Sequence, residues 1–186
     1  MMSRMANITR EELIKDKRFY IDDRNINRLL NDHSVKEYRV KYIKVGMILR
    51  KISNCNSIVP LCQTYVYKYL EGGEEGKKAY EEFRKICNYS PLRSEEIYNK
   101  LIKQIDDSDY DLKKGAIVVD QYNLILDGMH RSSILLRKYG ANHRIQVVQF
   151  YNAYTIRPVF LLTRIKTIIA NIKAWIYCQN RKYYEN

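Results

Sequence analysis

The sequence predicts an α/β (α+β) fold, a small sheet carrying helices, and three observations predict it. Ile97, Tyr98, Leu101, Ile102 and Ile105 recur on one helical stripe behind Ser94, which has the chemistry of an N-cap. Two short apolar runs, Ala116–Val119 and Leu124–Leu126, flank the turn-forming Asp120-Gln121-Tyr122-Asn123 and read as a hairpin. Met129 to Tyr139 has helical composition, stops at Gly140 as a capped helix does, and gives way to a strand at Ile145–Phe150. The order from Pro91 to Phe150 is therefore helix, strand, strand, helix, strand, with the first helix ending near Asp106-Asp107.

Upstream, Thr9 and Glu12 have the spacing of a capping box, so a short helix starts near Arg10. Arg24 to Leu30 reads as a second helix, whereas Tyr38 to Ile52 mixes β-branched, aromatic and basic residues without an assignable period. Cys62, Tyr65, Val66, Tyr69 and Leu70 share a helical face that Gly72-Gly73 would end. Lys77 to Cys87 reads as another helix, with Tyr80, Phe83 and Ile86 facing inward, and Gly72–Gly76 as a flexible connector. The abundant tyrosines are read as packing residues with hydroxyls reaching solvent, in preference to base-stacking platforms.

Beyond the strand, Leu161, Ile165, Ile168, Ile169, Ile172, Trp175 and Ile176 form a helical stripe within Val159–Tyr177, with Arg164, Lys166 and Lys173 elsewhere around the axis. Such a basic amphipathic helix covers its own core, docks a partner or lies on an anionic membrane. The chain divides into a mainly helical region at 1–90, a core at 91–150 and this C-terminal segment at 151–186.

With 186 residues, one domain with additions is expected. The formal charge of +12 suits phosphate-rich partners, although the wealth of Lys, Ile, Asn and Tyr also fits an AT-rich coding bias. Cys55, Cys62, Cys87 and Cys178 have neither metal-ligand nor redox-motif spacing, and His33 and His143 lack ligand companions. Without the apolar core of a signal peptide at Met1–Arg10, and without a long uncharged apolar stretch, the expectation is a reduced cytoplasmic protein, soluble or peripheral at the inner membrane face.

The chemistry concentrates at Asp127-Gly128-Met129-His130-Arg131. Gly128 sits where a strand turns into a helix, so backbone can approach a ligand closely, and the first-turn N–H groups and helix dipole favour an anion. Arg131 can hold a phosphate through paired hydrogen bonds, His130 can donate, and Ser132 and Ser133 add hydroxyls. Asp127 would repel a phosphate unless a divalent cation lies between them or the acid acts as a base, which implies magnesium. The competing structural account has Asp127 capping the helix and pairing with Arg131.

The run Ala116-Ile-Val-Val-Asp-Gln-Tyr-Asn-Leu-Ile-Leu-Asp-Gly-Met-His-Arg-Ser-Ser-Ile-Leu-Leu136, behind the Ser94 helix, resembles the ParB/sulfiredoxin superfamily over Pro91–Phe150. The resemblance implies that His130 and Arg131 bind nucleotide phosphates, that Gly128 matches the preceding glycine, and that Arg93 and Ser94 help hold the nucleotide. Met129 stands where sulfiredoxins carry their reactive cysteine, which argues against sulfinic-acid reduction. The Gly-x-Arg-Arg pattern and helix-turn-helix of partition proteins are not seen, so sequence-specific DNA binding is not expected. The Asp-Gly-x-His-Arg order is similar to that of the free-serine kinase branch. It implies an ATP-dependent phosphotransferase acting on a small hydroxyl-bearing acceptor, with Asp127 and His130 catalytic, Asp127 on magnesium, and a glutamate base not identifiable before Pro91. The same motif resembles ParB-like domains of bacterial surface-polysaccharide gene clusters, which implies the alternative of a non-catalytic nucleotide-responsive module in polysaccharide biosynthesis or its regulation.

Overall fold

The computed structural model describes residues 7–52, 57–86 and 91–152, together with Ile165, Ile169, Ile172 and Ile176. It is a mixed α+β structure of six helices, a four-stranded sheet and a two-stranded sheet among these residues. The N-terminal region supplies α1 (Arg10–Lys15), α2 (Asp23–Asp32), β1 (Val35–Lys44), β2 (Leu49–Ile52), β3 (Ser57–Pro60), α3 (Tyr65–Glu71) and α4 (Gly73–Ile86). Then follow α5 (Pro91–Ser108), β4 (Val118–Asp120), β5 (Ile125–Asp127), α6 (Met129–Tyr139) and β6 (Arg144–Asn152). The expected helix, strand, strand, helix, strand order is present.

The four strands lie in the order β1-β6-β4-β5, with β6 parallel to β4 and the outer pairs antiparallel. Side chains alternate across this sheet with the period of two that a pleated strand imposes. Ile117, Val119 and Val147 enter a core with α3 to α6, while Val118, Val148 and Phe150 enter a second core with Leu13, Phe19, Ile26 and Leu29. Coverage on both faces explains why Ala116–Val119 is an unbroken apolar run instead of an alternating one.

The unassigned Tyr38–Ile52 stretch holds the long edge strand β1, registered against β6 with Tyr38 opposite Phe150 and Val40 opposite Val148. Its signal is weak because β1 is only partly covered, with Arg39 and Tyr42 exposed. The region before residue 90 thus completes the central sheet as well as supplying helices.

The Thr9 capping box is present: Thr9 Oγ1 accepts the Glu12 N–H at 3.2 Å and Glu12 accepts the Thr9 N–H at 2.7 Å. Two boundaries differ from expectation. The reading of Gly72–Gly76 as a connector is corrected, since α4 already begins at Gly73, where Glu74 and Glu75 suit the positive end of the helix dipole. The helix at Ser94 starts at Pro91, whose fixed φ suits a first helical position, so Ser94 lies within the first turn and is not its cap.

Tyr98 joins layers by donating its hydroxyl to Val66 O at 3.2 Å, and Lys138 Nζ ties α6 to α5 by donating to Ile105 O at 2.9 Å. Most of Val159–Tyr177 lies outside the described residues. Ile165, Ile169, Ile172 and Ile176 are helical and exposed, and none of the four belongs to either core described above. No described helix is long and apolar enough to cross a membrane.

Candidate functional site

The site begins with one backbone requirement. Gly128 stands between β5 and α6 with φ at 84°, in the left-handed region that side chains disfavour. A Cβ there would lie 3.0 Å from both Cα and Cγ1 of Ile117, so the turn is pressed onto the neighbouring strand. Gly128 is the N-cap of α6 and provides no side-chain cap. The first intrahelical bond runs from Ser132 N–H to Gly128 O at 2.9 Å, leaving the Met129, His130 and Arg131 amides ahead of the ladder.

Asp127 does not cap this helix. Its carboxylate turns to α2, where Asn25 Nδ2 donates to Oδ2 at 3.1 Å and Arg28 Nη2 stands 3.7 Å from Oδ1. Arg28 also donates to Leu126 O at 3.2 Å, which fastens α2 to β5. Burial raises the Asp127 pKa, an effect opposed by the Gly128 amide and by Arg28 and Arg131. The structural alternative of an Asp127 cap paired with Arg131 is therefore absent, and no carboxylate among the described residues forms an ion pair with Arg131.

A cleft of about 600 Å³ opens at this helix start. Asp127, Gly128, Met129, His130 and Arg131 line it, and Asn25, Arg28 and Arg50 flank its β5 side. Its other walls come from Tyr80, Phe83 and Arg84 of α4 and Ile97, Tyr98 and Leu101 of α5. Among the described lining residues four are arginines and Asp127 is the single acid.

His130 is held in an aromatic corner. Its Nε2 lies 3.1 Å from the Tyr80 hydroxyl, and the Tyr98 ring meets it edge-on with centroids 4.7 Å apart. Burial, helped by Arg84 and Arg131, lowers its pKa to about 4, so the ring is neutral near pH 7. A neutral ring that accepts from Tyr80 at Nε2 carries its proton on Nδ1 and can donate it to a ligand. Arg84 is buried, with its guanidinium 5.9 Å from the centre of the Tyr80 ring. Burial raises the Tyr80 pKa against the opposing pull of Arg84.

Arg131 is half-buried. Its guanidinium lies over Gly115, where a Cβ would come within 2.5 Å of Cζ. The expectation that Ser132 and Ser133 add hydroxyls to the site is corrected. Both are fully buried on the core side of α6, and Ser132 Oγ donates back to Met129 O at 3.0 Å, so neither hydroxyl lines the cleft. Arg93 and Ser94 lie in the first turn of α5, but their side chains are outside what is described.

Asn25, Arg28, Arg50 and Arg84 are cleft residues that sequence reasoning missed. Tyr80 and Phe83 were visible as an inward stripe, and Arg84 follows Phe83 directly, but adjacency to a buried aromatic does not by itself mark a site. Arg28 and Arg50 enter only through tertiary packing against β5, for which a linear sequence carries no signal.

No group of three metal-ligating side chains occurs among the described residues. Magnesium, however, is ordinarily held by one or two carboxylates together with phosphate oxygens and water. The half-buried Asp127 carboxylate, beside the uncapped amides, fits that habit as a single protein ligand. No protein-family model, curated protein or solved structure matches the chain.

Proposed function

We propose that the cleft binds a nucleotide by its phosphates at the start of α6, and that the protein is an ATP-dependent phosphotransferase of ParB/sulfiredoxin-like type acting on a small hydroxyl-bearing molecule. The observation that carries this reading is an uncapped helix start opening into a cleft with four arginines and one carboxylate. First-turn amides and guanidinium groups are the donors that recognise phosphate, and anions are favoured at that end of the dipole.

In this reading the Met129, His130 and Arg131 amides and the Arg131 and Arg84 side chains take the phosphate chain. His130 adds a donor held in place by Tyr80, while Phe83 and the exposed Ile97 offer apolar surface to the base. Asp127 accepts the acceptor's hydroxyl proton, for which a carboxylate with a raised pKa is better suited than an ordinary one. In the alternative role, as a magnesium ligand instead of a base, Asp127 would help hold a cation that neutralises charge on the phosphates.

Thermal-shift measurements with ATP, CTP, GTP and ADP, each with and without magnesium, test the site before any substrate is assumed. Magnesium-dependent stabilisation by ATP is expected, and a broad acceptor panel should then release ADP with one acceptor class. Asp127→Asn should retain nucleotide binding and lose turnover. Stabilisation by CTP alone would instead indicate a nucleotide switch.

A second reading rests on a separate observation. Asp127 is the single acid among the described lining residues, so no glutamate from before Pro91 stands in the cleft as a further base. That favours a non-catalytic nucleotide-responsive module, of the kind the polysaccharide-locus resemblance implies. The exposed Ile165, Ile169, Ile172 and Ile176 would then serve a partner or the inner face of a membrane. Tight nucleotide binding without turnover across the panel would select it.

A further inference from the structure

The geometry points to a second, anionic subsite on the β5 side of the cleft, where Arg28 and Arg50 take the carboxylate or phosphate of an acceptor whose hydroxyl faces Asp127. This rests on the phosphotransfer reading and names its acceptor class: a small hydroxy compound carrying an anion and no ammonium group.

The arginines fall into two groups by the elements that carry them. Arg84 comes from α4 and stands by Tyr80 and His130, and Arg131 belongs to α6 itself. Arg28 and Arg50 flank β5 instead. Arg28 Nη2 bonds Leu126 O and lies 3.7 Å from Asp127 Oδ1. Arg50 follows Leu49, whose N–H donates to Asn123 O at 2.9 Å at the start of β5.

In-line transfer places the acceptor across the transferred phosphoryl group from the nucleotide. With the phosphate chain on the α6 amides, the acceptor falls beside Asp127, which puts Arg28 and Arg50 around it. In the step itself the acceptor oxygen bonds to the γ-phosphorus, its proton passes to the Asp127 carboxylate, and the bond to the β-phosphate oxygen breaks, releasing ADP.

Arg28 gives its Nη2 to Leu126 O and keeps Nε and Nη1 for a ligand. Its side chain is 48% exposed and its approach to Asp127 is longer than a charge-assisted hydrogen bond. The carboxylate already has Asn25 as a closer partner, so neutralising Asp127 does not by itself require Arg28. The single lining acid is the one the chemistry uses, so no second carboxylate described in the cleft would ion-pair with an ammonium group.

The test uses the full chain. ADP with magnesium is titrated first, by thermal shift and calorimetry, and at saturation glycerol, serine, glycerate and glycerol 3-phosphate are added separately. Glycerate or glycerol 3-phosphate should bind, and the two arms tell a carboxylate from a phosphate preference. Glycerol and serine should bind at least roughly tenfold more weakly.

Arg28→Gln should weaken the anionic compound roughly tenfold or more while changing ADP affinity less than about threefold, and Arg28→Lys should recover part of the loss. Arg50→Gln provides an independent check should Arg28→Gln fold poorly. The subsite is overturned if glycerol or serine binds as tightly as the better of glycerate and glycerol 3-phosphate, if no compound binds, or if Arg28→Gln weakens ADP as much as the acceptor. Failure of ADP itself to bind would sink the nucleotide reading. Arg28-dependent binding of glycerate would still support the subsite in that case.

Discussion

Two acids bracket the hairpin's second arm, Asp120 at the end of β4 and Asp127 at the end of β5, and the fold uses them in opposite ways. Asp120 closes its own turn: its Oδ1 accepts the Tyr122 N–H at 2.8 Å and the Leu124 N–H at 2.9 Å, with Asn123 at φ 63° completing the reversal. Asp127 turns away from the helix that follows it and toward Asn25 of α2. Burial raises the pKa of both carboxylates. The difference lies in what each leaves behind. The first turn satisfies its own amides and is structurally complete, whereas the second leaves a helix start uncapped beneath four arginines. Acid chemistry alone does not mark a site; the donors left over by the acid do.

The largest expected effect tests the open turn. Arg131→Ala should cost roughly 2 to 4 kcal/mol of nucleotide binding through loss of a charge-assisted contact. Because the guanidinium lies over Gly115, the same change should also cost about 1 kcal/mol of stability, read by urea denaturation. Gly115→Ala separates the two, since a methyl there displaces the guanidinium without removing its charge. It should weaken nucleotide binding less than Arg131→Ala while giving up the same packing, so its stability loss approaches that of Arg131→Ala. If Arg131→Ala binds nucleotide like the parent yet melts much earlier, Arg131 belongs to the packing and the two turns are more alike than drawn here.

Gly128→Ala comes next. A side chain at φ 84°, with its Cβ 3.0 Å from the Ile117 backbone, should cost roughly 2 to 3 kcal/mol of folding stability. The equivalent strain at the closed turn is already borne by Asn123, a residue that tolerates positive φ, so Asn123→Gly relieves strain but gives up the bond Gln149 Nε2 donates to Asn123 Oδ1 at 3.3 Å, and should cost less than about 1 kcal/mol. Equal losses at both positions would show that the left-handed conformation at Gly128 is not a special requirement of the site.

This contrast also explains what was legible in the sequence. The Asp-Gly strand-to-helix turn and its flanking elements are local, and β-branched runs, Gly140 and a turn tetrapeptide announce them. The α4 wall was half legible, because Tyr80 and Phe83 follow a helical period and Arg84 does not. Asn25, Arg28 and Arg50 were silent, being brought to β5 by packing across as many as 102 residues of sequence. The seryl hydroxyls misled for a related reason. Ser132 and Ser133 follow the motif in sequence, yet at about 100° per residue the helix turns them onto its buried face. Proximity along a chain translates into proximity at a site only for the first turn.

His130 tests the electrostatics of the open turn. Its folded-state pKa near 4 lies below the ordinary 6.5, so the unfolded chain binds more protons between those values. Stability attributable to this histidine is therefore full above about pH 6.5 and falls as the pH drops toward 4, by about 1 to 3 kcal/mol. His130→Gln should flatten that part of the profile. Nucleotide binding would decline over the same window only if the neutral ring is the bound form. A binding curve that strengthens as the pH falls from 6.5 would mean that phosphate recruits a cationic His130, and the donor role assigned to the neutral ring would be wrong.

The smallest effect belongs to the closed turn, and its sign is opposite. Burial lifts Asp120 from 3.8 to about 6, so here the folded chain binds more protons than the unfolded one across that interval. The associated stability is fully present below about pH 3.8 and is lost as the pH rises through 6. Asp120→Asn removes the buried charge while keeping an Oδ1 positioned to accept both the Tyr122 and Leu124 N–H groups. The added amide protons must find partners or solvent, which offsets part of the gain, leaving about 1 kcal/mol of stabilisation near pH 7 and none near pH 4. Urea denaturation of parent and variant at the two pH values measures the difference directly. Should the variant be less stable near pH 7, the carboxylate strengthens its two turn bonds by more than burial weakens it. Asp120 would then be a charge the hairpin requires, leaving both acids as working charges.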